Sequence, residues 1–138
     1  MNIASKNCIF CKIIKGEIPS YKIYEDDKTY AFLDIKKDAI GHTLVIPKQH
    51  SANLLSCNEE YLTAVFNTAQ KIARHYVANC GFTGVNVMTA SGVSAQQTVF
   101  HFHVHVIPRK DDDGMDLWPL GDGDESMDLG EVCQRLAL

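Results

Sequence analysis

No stretch of this 138-residue chain is apolar for long enough to cross a bilayer as a helix. The chain does not open on a charged segment followed by an apolar run, so neither export nor a membrane anchor is expected. A disulfide framework is missing as well. The five cysteines (Cys8, Cys11, Cys57, Cys80, Cys133) are odd in number and irregular in spacing, which fits a reducing cytoplasm. No basic stripe with interleaved aromatics is present, which argues against a nucleic-acid polymer as partner. Repeats and interdomain linkers are absent too, and the length suits one domain with a substantial core.

The net charge of −4 conceals an asymmetry. Residues 1 to 110 carry 12 Lys/Arg against 8 Asp/Glu, a net of +4, whereas residues 111 to 138 carry Arg135 against nine acids, a net of −8. A mildly basic body is compatible with a small anionic ligand. The acidic run reads first as a solvated segment. Residues 1 to 110 are therefore expected to form the domain core, with residues 111 to 138 an acidic extension packed on it or flanking it.

Residues 1 to 6 read as a loose start. Apolar spacing in Cys8 to Ile14, closed by Gly16 and Pro19, predicts a short helix. Tyr21 to Glu25 and Thr29 to Asp34 alternate around Asp26-Asp27-Lys28, a hairpin pattern, and His42 to Pro47 reads as a third strand released by Gly41. Ser56-x-x-Glu59 has the form of a capping box. Behind it Leu62, Val65, Phe66, Ala69, Ile72, Ala73, Tyr76 and Val77 repeat at three and four, predicting one long helix ending near Gly81. Gly84 to Thr89 is a fourth strand, and 91 to 97 a turn. Beyond Arg109 an acidic, Gly-rich loop (Asp111 to Gly114, Gly121 to Gly123) carries the lone Trp118, and a short helix is expected over Leu129 to Leu138. These elements predict an α+β class: five strands in a mainly antiparallel sheet, one long helix and one or two short ones.

The fifth strand holds the most informative feature, His101-Phe102-His103-Val104-His105. Strict alternation puts Phe102, Val104 and Val106 on one face and the three imidazoles on the other, about 7 Å apart from the rise of a strand. Three readings compete for such a row. The rings could simply be satisfied by water. They could grip zinc, since imidazoles at i and i+2 project to one side. Or one could attack phosphorus while its neighbours manage protons, because a neutral imidazole is nucleophilic near pH 7.

Residues 97 to 109, Gln-Thr-Val-Phe-His-Phe-His-Val-His-Val-Ile-Pro-Arg, closely resemble the signature of the histidine-triad (HIT) superfamily, His-φ-His-φ-His-φ-φ with φ apolar. Phe32-Leu33-Asp34-Ile35 with Gly41 to His50 resembles the family's upstream half. Cys8 to Ile14 resembles the opening of its Hint-like branch, in a zinc-binding, bacterial type. The resemblance implies hydrolase or transferase chemistry at the α-phosphate of nucleoside monophosphate derivatives, such as phosphoramidates of AMP or GMP. His103 would be the nucleophile, forming a transient nucleotidyl-histidine, with one ring nitrogen donating to the backbone of His101. His105 would contact phosphate or leaving group, and His42 would complete the catalytic wall with His101. Gln97 and Thr98 match phosphate-contacting positions, and Asp34, with Ile35 beside it, matches the acid that accepts from ribose hydroxyls. The resemblance also implies a homodimer. A dinucleoside polyphosphate hydrolase, a nucleotide-binding regulator with weak catalysis, and a hydrolase with metal on the triad itself are the alternatives.

Cys8-x-x-Cys11 by spacing alone is a redox pair, a zinc half-site or coincidence. The resemblance combines it with His50 and His101 as a Cys₂His₂ set for one structural zinc per chain, bracing the strand without touching substrate. Two departures from the family pattern precede the triad: Ala90 stands where an Asn is usual, and Gln96 where a glycine is. Trp118-Pro119 corresponds to a Trp-Pro element that reaches the partner's active site in dimers. His75, near the end of the long helix, is expected to be exposed.

Overall fold

The computed structural model describes residues 7–118 and 123–138. The loose start expected for residues 1 to 6, Pro119 of the Trp-Pro pair, and Gly121 and Asp122 of the Gly-rich loop lie outside the described residues. A short helix α1 (Ile9–Ile14) leads into a hairpin of β1 (Lys22–Glu25) and β2 (Thr29–Leu33), then β3 (Thr43–Pro47). The long helix α2 (Glu59–Asn79), β4 (Gly84–Met88), a 3₁₀ turn (Val93–Ala95), β5 (Val104–Arg109) and α3 (Leu129–Leu136) follow. The strands lie in the order β1-β2-β3-β5-β4, and every pairing is antiparallel.

Both faces of the central strands are covered. Ala31, Val45, Phe102, Val104 and Val106 pack against Val65, Ala69, Ile72 and Tyr76 of α2. The opposite face places Tyr30, Phe32, Leu44 and Ile46 against Phe10, Cys11 and Ile13 of α1. The alternation of β2 and β3 thus distributes side chains between two apolar layers, not between core and water. Consequently the histidines of the 101 to 105 row face the α1 layer, where Phe10 meets His101 and His103 edge-on, with ring centroids 5.9 and 5.2 Å away.

Two expectations are corrected. Asn58, not Ser56, caps α2: its carboxamide oxygen accepts from the Glu60 amide at 2.9 Å, while the Ser56 hydroxyl donates to Asn53 O. Asn is as good a cap as Ser, and at position 58 it sits next to the first helical residue, with Glu59 and Glu60 at the positive end of the helix. The second correction concerns the triad, of which only His105 lies within β5. The β3–β5 ladder ends at Val45↔Val104; one step beyond, Pro47 has no N–H to offer. Residues 101 to 103 run beside the chain that follows β3, the Phe102 amide donating to Ser51 O at 2.7 Å.

After β5, Arg109 holds the chain by a two-pronged ion pair to Asp113 (2.8 and 2.9 Å) and a bond to Met115 O. The guanidinium keeps the Asp113 carboxyl well below its usual range. Trp118 is largely exposed.

Candidate active site and metal centre

His103 is buried. Its Nδ1 donates to the main-chain oxygen of His101 at 2.8 Å, and this fixes the tautomer: Nε2 is left as a bare lone pair. Burial pushes the pKa of His103 below that of a free imidazole, against the pull of that hydrogen bond and of Asp34. The ring is thus neutral near pH 7. Thr89 steadies the same segment, its hydroxyl donating to His103 O at 2.7 Å.

Beside it His105 lies 5.0 Å away between ring centroids, closer than the 7 Å read from strand rise because the rings lean together. Burial and the neighbouring His103 and His42 push its pKa down to about 4. Its Nδ1 is 2.8 Å from His42 Nε2, and His42 Nδ1 donates to Asp38 Oδ1 at 2.9 Å. Asp38–His42–His105 is therefore a continuous chain of hydrogen bonds. For His105 to present an N–H outward from Nε2 while His42 Nδ1 donates to Asp38, one further proton must be shared between His42 Nε2 and His105 Nδ1. Asp38 is the member the sequence reading missed; its only signal was the Asp38-x-x-x-His42 spacing.

Gly41 sets His42 in place. Its φ of +81° favours glycine, and a Cβ there would meet Pro108 Cγ at 3.0 Å. Asp34 follows β2 opposite, its amide bonded to His42 O at 2.9 Å. Asp34 Oδ1 accepts from the Lys36 amide, while Oδ2 faces His42 Nε2 at 3.8 Å. A cavity of about 590 Å³ opens here, lined by Tyr21, Leu33, Asp34, Ile35, Ile40 and His42 among others. Its lining is largely apolar, with one carboxylate, one imidazole, and Lys36 and Lys37.

Gln97, expected to contact phosphate, is held by its own neighbours. Its side chain is buried and its amide is fully engaged. The nitrogen donates to Ala52 O (2.7 Å) and Val99 O (3.0 Å), and the oxygen accepts from the Gly92 amide (2.9 Å) and Asn53 (3.3 Å). Gln97 thus ties the 91 to 97 loop to the chain after β3, while Thr98 beside it is exposed. Gln96 keeps the left-handed backbone (φ 69°) that a glycine would occupy without strain.

Cys8, Cys11, His50 and His101 converge on the other side of the triad, their ligand atoms all within 4.8 Å of one another. Cys8 Sγ and Cys11 Sγ lie 3.3 and 3.5 Å from His101 Nδ1. His50 Nδ1 is 3.4 Å from Cys11 Sγ and 3.1 Å from His101 Nδ1. A zinc tetrahedron has edges of about 3.3 to 3.7 Å, so the four residues fit that ion. His101 Nε2 donates to Pro47 O at 3.0 Å, which turns Nδ1 to the cluster, and the Cys11 amide donates to Cys8 Sγ. His101 thus faces the cluster with its ring and His103 with its carbonyl. Among the described residues no metal-competent group takes two triad imidazoles. His75 is exposed, as expected.

A five-stranded antiparallel sheet carrying one imidazole row between a cysteine cluster and an open cavity defines a histidine-triad α+β protein. A model of the HIT domain matches residues 15–112, and the chain belongs to that family. It is 49% identical over 110 residues to a HIT-like protein of Borreliella burgdorferi, covering 78% of this chain and 79% of that one. It is 43% identical over 131 residues to the adenosine 5′-monophosphoramidase HNT1 of Saccharomyces cerevisiae, covering 94% and 80%. It is similar in structure to a zinc-bound histidine triad family protein of Mycobacterium smegmatis, with a TM-score of 0.77, 38% identity and 84% of each chain covered.

Proposed function

We propose that this protein hydrolyses nucleoside phosphoramidates, such as an AMP–lysine conjugate, at the α-phosphorus through a nucleotidyl-His103 intermediate. The observation that carries this reading is the 2.8 Å bond from His103 Nδ1 to His101 O, because it aims an unprotonated nitrogen outward from a buried ring. Nε2 attacks phosphorus, the P–N bond to the amine breaks, and the amine leaves with a proton. Water then attacks the phosphorus, releasing the nucleoside monophosphate and restoring His103. Asp34 accepts from the ribose diol in the cavity, with Ile35 against the nucleoside. His105, backed by His42 and Asp38, donates to phosphate or leaving group. Thr98 meets the phosphate, and Gln97 acts by holding the loop that presents it. The relative from yeast named for this activity supports the reading.

In the same reading Cys8, Cys11, His50 and His101 hold one structural zinc, supported by the fit of the four ligand atoms and by the zinc-bound relative. When bound, the ion supplies rigidity to residue 101; the chemistry stays with His103. Thiolate ligands suit the reducing cytoplasm, where we place the protein. No helix among the described residues is long and apolar enough to cross a membrane.

A homodimer also belongs to this proposal. β4 is a sheet edge with Val87 and Met88 exposed, and Phe100 is exposed as well; a two-fold copy would cover such an edge.

The test is hydrolysis of AMP–lysine against diadenosine polyphosphates. Preference for the phosphoramidate, with release of AMP and free amine, supports the proposal. Preference for the polyphosphate reassigns the substrate class.

A further inference from the structure

Apart from the cysteine cluster, one other group among the described residues brings metal-ligating atoms together: Asp34, His42 and His105. We propose that these three form a second divalent-metal site, with zinc-like preference, inside the mouth of the cavity. A metal seated there excludes substrate.

The three residues offer a carboxylate oxygen and two imidazole nitrogens, all within 4.8 Å of one another. His42 Nε2 is 2.8 Å from His105 Nδ1 and 3.8 Å from Asp34 Oδ2. A tetrahedral ion with bonds of about 2.0 to 2.2 Å to nitrogen and oxygen needs ligand atoms about 3.4 Å apart. The two observed distances bracket that value, so the ring pair opens by roughly half an ångström and the carboxylate closes by as much. Asp38 accepts from the other nitrogen of His42 at 2.9 Å, the arrangement that orients and strengthens a ligating imidazole. Asp34 and His42 line the cavity, which leaves a coordination position open to water. The donor set is nitrogen and oxygen without sulfur, unlike the cluster at Cys8, so the two sites differ in affinity and in spectrum.

That occupancy blocks turnover rests on the function proposed above, since the metal takes the groups assigned to ribose and phosphate. Binding itself does not rest on it.

The experiment is a cobalt(II) titration of untagged, metal-free protein, read by absorbance. The first equivalent is expected to give thiolate-to-cobalt charge transfer in the near ultraviolet. A second is expected to add visible ligand-field bands with no further thiolate absorption. In His105→Gln the second phase disappears while the first is kept, which also reports that the variant is folded. Asp34→Asn, at a half-buried strand end, weakens the second phase at least tenfold. Saturation at one equivalent in the unaltered protein, or a second phase unchanged in both variants, overturns the proposal. Hydrolysis of AMP–lysine by the protein holding one equivalent is measured separately. Its absence removes the function proposed above and leaves the spectroscopic result standing. Intact hydrolysis with no second equivalent removes the second site alone.

Discussion

The main-chain oxygen of His101 accepts from His103 Nδ1 at 2.8 Å, while the ring of His101 turns away into the cysteine cluster. The two imidazoles are coupled through backbone, so whatever holds residue 101 in place also sets the tautomer and direction of residue 103.

Loss of the cluster should cost stability before it costs chemistry, because molecules that stay folded keep the bond from His103 Nδ1 to His101 O. Cys8→Ser, or chelation of the metal, is expected to remove about one zinc per chain and to lower the melting temperature by roughly 10 °C, a destabilisation of about 3 kcal/mol. The turnover of molecules that remain folded falls less than tenfold. Metal analysis and calorimetry check this.

In the proposed reaction Asp38 acts through His42, and it is about half exposed. Asp38→Asn should leave the melting temperature nearly unchanged and lower kcat by about tenfold to a hundredfold, less than the loss of a direct proton-transfer group, because Asp38 acts through His42. KM should shift little, because Asp38 has no part in the proposed substrate contacts. A change in KM alone, with kcat intact, would contradict the relay.

Gln97 makes four bonds from a buried position. Truncation to Ala leaves the Gly92 amide and the carbonyls of Ala52 and Val99 without their partner, and is expected to cost about 2 to 3 kcal/mol. Hydrogen exchange should quicken at the Gly92 amide and in the 91 to 97 loop.

Stability should fall with acid in a defined window. Burial, with His103 and His42 beside it, pushes the pKa of His105 down to about 4 in the fold, against 6.5 for a free imidazole. As pH falls the unfolded chain takes the proton first. The contribution of His105 is thus complete above about pH 6.5, declines between 6.5 and 4, and changes no further below. Urea midpoints across this range should drop less steeply for His105→Gln than for the unaltered chain.

Much of this was legible in the residues. Alternation at Phe102, Val104 and Val106 placed the histidines together on the opposite face, and the period of α2 gave the helix against which that apolar face packs. The four cluster residues, drawn from three segments, converge as the family resemblance implied. What the sequence could not give was decided in three dimensions. The triad straddles the start of β5 because Pro47 offers no N–H to the next rung. Asn58 displaced Ser56 as a cap because it lies nearer the helix. Asp38 was hidden in a polar turn where a carboxylate looks like any other solvated residue. Gln97 matched a phosphate-contacting position, and its packing among three backbone groups and the Asn53 amide was not legible in the residues.

The central claim is that His103 carries the nucleotidyl group. Enzyme mixed with AMP–lysine and quenched within one turnover should gain the mass of one adenylyl group, acid-labile and confined to the peptide that contains His103, and His103→Ala should show neither the adduct nor turnover. Rapid hydrolysis with no adduct, or turnover retained in His103→Ala, would contradict it.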